Sequence, residues 1–94
     1  MYTTLAAIKS YCRVDIDDDD ALLSAMGETA ENQIADILRT PLEDVAQDGV
    51  LPPPVETAVC YLVAQMYDHR DGYDAKTSLD MARRIVFGYR REVF

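Results

Sequence analysis

Five aspartates, Asp15, Asp17, Asp18, Asp19 and Asp20, crowd six consecutive positions. Clustered carboxylates are the raw material of calcium loops, of acid–base pairs and of anionic surfaces. Counted from Asp15 as a calcium loop, the run fails twice. Its sixth position is Asp20, where the sharp turn needs glycine, and its twelfth is Met26, where a bidentate glutamate is needed. The rest of the catalytic inventory is thin. His69 is the only histidine and sits among Asp68, Arg70 and Asp71, while Cys12 and Cys60 have no obvious partner in sequence. There is no Gly-rich phosphate loop, no CxxC pair and no HExxH. This inventory predicts no enzyme, no metal site and no cofactor.

The charges are better suited to surfaces than to chemistry. Seventeen acidic residues against nine basic ones give a net charge of −8 and a pI near 4.3, so the molecule as a whole repels nucleic acid and anionic lipid. That argues against a helix-turn-helix DNA reader, whose recognition helix is basic. The charge is also polarised along the chain. Asp15 to Glu56 hold twelve acids and one basic residue, Arg39, whereas the final twelve residues hold Arg83, Arg84, Arg90 and Arg91 against Glu92, a local 4 − 1 = +3. Asp17, Asp18, Asp19 and Asp20, with Glu43, Asp44 and Asp48, are the candidate acidic face. If acidic and basic faces lie on different sides of one protomer, head-to-tail contacts pair them, and a heterologous contact that closes makes a ring. The alternative is that the arginines pair within their own protomer or are merely solvated, where surface pairs contribute only about 0–1 kcal/mol.

The elements that must position these charges are helical. Pro52, Pro53 and Pro54 halt whatever precedes them, and proline is tolerated in a helix's first turn, so a helix should start at Pro53 or Pro54 and run to about residue 70. Its stripe of Val55, Val59, Leu62, Val63 and Met66 is the predicted core. Before it, Thr3 and Thr4 are candidate caps for a short helix over 4–12. One of Asp17 or Asp18 is the expected cap of a long helix over 19–39. Its predicted buried stripe is Leu22, Leu23, Met26, Ala30, Ile34, Ile37 and Leu38, and its predicted wet side is Ser24, Glu28, Glu31, Asn32 and Asp36. Gly27 is out of place there, because glycine inside a helix costs about 1 kcal/mol relative to alanine, so either the helix bends or a neighbour comes close.

Thr40-Pro41 should end the long helix. Leu42 to Leu51 reads as a polar connection with a turn at Asp48-Gly49 and room for one helical turn. Gly72 is placed to end the proline-started helix in a left-handed cap, and Ser78 followed by Asp80 should open a last helix over 78–90, faced by Leu79, Ala82, Ile85, Val86 and Tyr89. The expectation is an all-α bundle of about four helices with two flexible loops, a single helical domain over residues 1–94. The cysteines are too few for a disulfide scaffold and read as core thiols. No apolar stretch approaches the roughly twenty residues of a membrane span, and no leader pattern opens the chain, so a reducing cytoplasm is expected.

Several stretches resemble one family in order and spacing. LAAIKSYCRVDIDDDDALLSAMGETAENQIADILRTPL, then LPPPVETAVCYLVAQMYDHRD, then a closing helix ending Tyr89-Arg90 are similar to the head-tail connector proteins of tailed phages, also described as DNA-packaging adaptors. The departures are Ile85 and Val86 in place of a leucine pair, Phe87-Gly88 before the tyrosine, and the extension Arg91 to Phe94. The resemblance implies a small helical subunit of a homo-oligomeric ring under the phage portal protein, generally matching its twelve-fold symmetry. Such a ring completes the head after packaging, extends the DNA channel and offers a platform to a stopper or tail-completion protein. It implies location at the virion head-tail junction, with the host cytoplasm as the site of assembly, and no membrane partner. On this reading Asp17 to Asp20, or Glu43, Asp44 and Asp48, line a channel through which DNA passes without specific binding, and Arg83, Arg84, Arg90 and Arg91 contact a neighbouring subunit or the portal. The rival reading is a monomeric acidic regulator, an antitoxin-like or DNA-mimic binding module.

Overall fold

The computed structural model describes residues 1–87. Within them the chain forms α1 (Leu5–Cys12), α2 (Asp20–Leu38), α3 (Leu42–Val45), α4 (Pro53–Asp68) and α5 (Ala75–Val86), with no strand. The fourth of the long helices begins three residues earlier than its sequence signals suggest, and α3 is the single turn for which the 42–51 connection had room. The molecule is only 16 Å across its thinnest direction, little more than one helix diameter of about 10–12 Å. The helices therefore lie side by side. α2 and α4 form the centre, α1 packs against both, and α5 packs mainly on α4 and more lightly on α2.

α4 is central for the reason its residues suggest. Pro53 and Pro54 fill its first two positions, where no N–H partner is lost, and Pro52 precedes them at φ −55° and ψ 145°. Val55, Ala58, Val59, Leu62 and Val63 are fully buried, and Cys60 is nearly so. Met66 is half-buried at the edge of the core. Full burial of aliphatic side chains of this size contributes about 1.5–3 kcal/mol each. The opposing stripe comes from α2, whose Leu23, Ala30, Ile34 and Leu38 are fully buried, and from Ile8 of α1 and Val86 of α5.

Two of the helix ends depart from habit. α1 and α2 both close through a residue in the left-handed conformation, and both times it is an arginine, Arg13 and Arg39, each at φ 58°. The turn after each is completed by a bond reaching five residues back, Val14 N–H to the Lys9 carbonyl at 2.9 Å and Thr40 N–H to the Ala35 carbonyl at 3.3 Å. In the connection after α3, Asp48 (φ 54°) and Gly49 (φ 78°) make a two-residue turn. Gln47 and Val50 exchange backbone hydrogen bonds of 2.8 and 3.0 Å across it, a miniature hairpin of the type that requires positive φ at both central residues.

Local expectations fail where a long-range contact outweighs them. Thr4 caps α1, accepting from the Ala7 N–H, while Thr3 turns inward and is buried. Neither Asp17 nor Asp18 caps α2. Asp19 holds the cap position and makes no side-chain cap bond, because its carboxylate is engaged by Tyr67 at 2.6 Å. Leu22 is more than one-third exposed, and Glu31, assigned to the wet side, is buried. Gly72 is not a left-handed cap: the only positive-φ glycine among the described residues is Gly49, and α4 ends at His69 with φ −124°. α5 opens at Ala75 under an Asp74 cap rather than at Ser78, which is buried inside the helix. Tyr89 lies outside the described residues.

Gly27 is explained by proximity. A Cβ at this position would stand 2.8 Å from Ile8 Cδ1 and 2.9 Å from Met1 Sδ. The glycine is what lets the first helix and the N-terminal methionine close down on α2.

Candidate functional site

The acidic run is built on the turn between α1 and α2, and three of its five carboxylates are engaged. Lys9 of α1 reaches Asp17 at 2.9 Å and Asp20 at 2.8 Å, and these hydrogen bonds, Asp20's first, hold the ammonium above its ordinary pKa. Asp19 accepts the Tyr67 hydroxyl proton from the far end of α4, which raises the phenol above its usual range. The Arg70 guanidinium lies 4.7 Å over the same ring. Asp15 and Asp18 remain exposed. The run is thus fastened at three carboxylates and still presents a negative rim. Among the described residues no group of three His, Cys, Asp or Glu side chains is arranged to hold a metal.

The second acidic set lies on and after α3. Glu43, Asp44 and Asp48 are all exposed, with Asp44 at 3.4 Å from the Thr40 hydroxyl and Asp48 at the hairpin tip beside Val50, which is 64% exposed. The two acidic sets occupy different regions. Tyr67 ties the N-terminus of α2 to the C-terminus of α4, so these helices run antiparallel and α3 belongs to the opposite end.

Of the four candidate arginines, Arg83 pairs with Asp80 one turn back at 2.8 Å with both side chains half exposed, a geometry of little net stabilisation. Arg84 is exposed. Arg90 and Arg91 lie outside the described residues. What the linear pattern hid is Arg39, isolated among acids in sequence, which the fold brings to Arg83. A groove between α2 and α5 is lined by Gln33, Asp36, Ile37 and Arg39 on one side and Leu79 and Arg83 on the other. Gln33 Oε1 is buried there without a hydrogen-bond donor.

Glu31 was the other residue missed. Its carboxylate takes the backbone N–H of Tyr2 at 2.9 Å and of Thr3 at 2.6 Å. The available signal was its register: Gly27, Glu31, Ile34 and Leu38 follow one another at intervals of three or four, in line with the apolar stripe.

Among the described residues, neither cysteine meets a base. His69 is exposed. Burial pushes the Cys60 thiol up to about 11, and the half-buried Cys12 thiol is also raised, the reverse of what a reactive cysteine needs. What the molecule offers is shape and separated charge. The family model for phage gp6-like head-tail connector proteins matches residues 2–93. The chain belongs to that family. It matches no curated protein and no solved structure. This connector is a structural component of the phage head-tail junction, and membership favours that role over the acidic-regulator reading. No helix of this connector among the described residues is long and apolar enough to cross a membrane.

Proposed function

We propose that this connector is a ring subunit that docks on the phage portal in the host cytoplasm, extends the DNA channel and completes the head after packaging. The family match over nearly the whole chain carries the reading. The charge distribution supports it. A duplex moving through a narrow channel must not be held, and a rim of carboxylates gives phosphates nothing to bind. The fastened Asp17–Asp20 turn supplies such a rim on a rigid support, because Lys9 and Tyr67 hold its carboxylates in place. The basic side, Arg83 and Arg84 with Arg90 and Arg91, meets a neighbouring subunit or the portal, and the completed ring offers its free face to a stopper or tail-completion protein.

The test is electron microscopy of the connector mixed with its phage's portal protein, together with heads produced in cells lacking the connector. Rings seated on the portal, and heads that lose DNA and fail to join tails when the connector is missing, are the expected results. Rings whose channel face is basic, or a protein that stays monomeric and indifferent to the portal, would overturn the proposal.

A further inference from the structure

Besides holding the start of the chain, the Glu31 carboxylate opens on a cleft of about 290 Å³ between α2 and α3. Tyr2 forms one wall, Ala35, Pro41 and Leu42 supply the apolar lining, and Glu43 brings a second carboxylate. Glu31 is only 7% exposed, and the groups that bond to it are neutral backbone N–H groups of Tyr2 and Thr3. No basic side chain lines the cleft. The ion pairs among the described residues are those of Lys9 with Asp17 and Asp20 and of Arg83 with Asp80, so neither Glu31 nor Glu43 belongs to one. The adjoining surface depression adds Asp36 and Arg39, whose charges cancel. A buried carboxylate without a counter-ion, opening on a partly apolar cavity, suits a cation carried on an apolar stem.

The same chain displays such a cation. Met81, Arg84 and Phe87 follow one another at intervals of three at the end of α5 and are all exposed, Met81 at 40% and Phe87 at 69%, so they share one outward face. Arg84, unlike Arg83, is in no ion pair among the described residues. That face carries Lys76, Arg83 and Arg84 against the single acid Asp80, so its surroundings do not neutralise it.

We infer that Arg84 of one copy seats between Glu31 and Glu43 in the cleft of the next, with Met81 and Phe87 packing on the apolar lining. The occupant is a second copy because this chain itself carries a guanidinium between two exposed apolar side chains, the counterpart of two carboxylates in a partly apolar cavity. A planar guanidinium can bond both carboxylates at once and lie against an aromatic wall. Folding has already taken Glu31 out of water, so pairing it adds attraction at little further desolvation. The inference rests on the ring reading and names its contact: a copy that gives Arg84 to one neighbour keeps its own cleft for another, the head-to-tail arrangement that a ring requires. The Asp17–Asp20 turn belongs to neither surface.

Sedimentation of the full-length protein over a concentration series, alone and with portal protein, tests it in Arg84→Glu and in the milder Arg84→Ala. The expected result is assembly of the wild type, weakened about tenfold or more by Arg84→Glu and less by Arg84→Ala, in variants whose circular dichroism is native. A second measurement leaves Arg84 and both carboxylates in place. Copies carrying Asn32→Cys, at the cleft, are mixed with copies carrying Asp80→Cys, one turn before Arg84, and treated with a short bifunctional thiol reagent. Cross-linked pairs are expected from the mixture and from neither variant alone. Undiminished assembly of both Arg84 variants, or no cross-link in a mixture that does assemble, would overturn this contact while leaving the ring intact. A wild type that remains monomeric throughout, alone and with portal protein, would remove the ring reading and the contact with it.

Discussion

Thr3 donates its backbone N–H to the Glu31 carboxylate at 2.6 Å, inside the protein. The bond, reinforced by Tyr2, fastens the start of the chain to the middle of α2 and fixes where α1 begins. Hydrogen bonds to a charged acceptor are worth about 1.5–3 kcal/mol, and truncating the acceptor strands the N–H groups that it served. Glu31→Ala is therefore expected to destabilise the fold by about 2 kcal/mol and to lower the melting temperature by roughly 10 °C. Thermal denaturation followed by circular dichroism reads it, and a change within experimental error would show that the N-terminal segment contributes nothing to the fold.

Gly27 lies on the same side of α2, under Ile8 and Met1. Its replacement by alanine gains about 1 kcal/mol of helix propensity and meets only the ends of two flexible side chains. The expected outcome for Gly27→Ala is a stability within about 1 kcal/mol of wild type. Gly27→Val adds branching that these ends cannot clear, and overpacking of this kind costs about 1–3 kcal/mol. Urea denaturation distinguishes the two, and equal midpoints for both variants would mean that α1 does not sit where described.

Asp74 caps α5 through the Thr77 N–H at 3.1 Å and the Thr77 hydroxyl at 2.8 Å, and these bonds hold its carboxyl below its ordinary value of 3.8. A depressed carboxyl contributes stability that is present above the unfolded pKa and lost as pH falls through the folded one. Asp74→Ala should lower stability at pH 7, and the gap between variant and wild type should close as the pH is taken below 3.8. A gap that persists unchanged in acid would assign the effect to something other than the charged cap.

Cys60 is buried in α4 against Cys12's helix, and its thiol is raised from 9.0 to about 11 by desolvation first and by Glu56 second. At pH 8 iodoacetamide should modify Cys12 before Cys60, with Cys60 reacting only on unfolding. A folded pKa raised above the unfolded value contributes stability that is intact below pH 9 and disappears between pH 9 and about 11. Cys60→Ala should flatten that alkaline loss. Rapid labelling of Cys60 in the native protein at pH 8 would contradict its burial.

The amino-acid sequence by itself determined the helices and their apolar stripes, because helix periodicity, proline at a first turn and Thr-Pro at an end are properties of a few neighbouring residues. It determined the net charge and its polarity, and the order of its short patterns carried the family. Only the tertiary structure decided the rest. Glu31 looked solvated until Tyr2 and Thr3, nearly thirty positions away, needed an acceptor. Asp19 gave up its capping role because Tyr67 reached it from another helix. Arg39, alone among acids in the chain, came to line one groove with Arg83 when α5 folded back beside α2. Side-chain partners across elements depend on which helix flanks come together, and a hydrogen bond or a pair of charges between distant residues leaves no periodic trace in sequence.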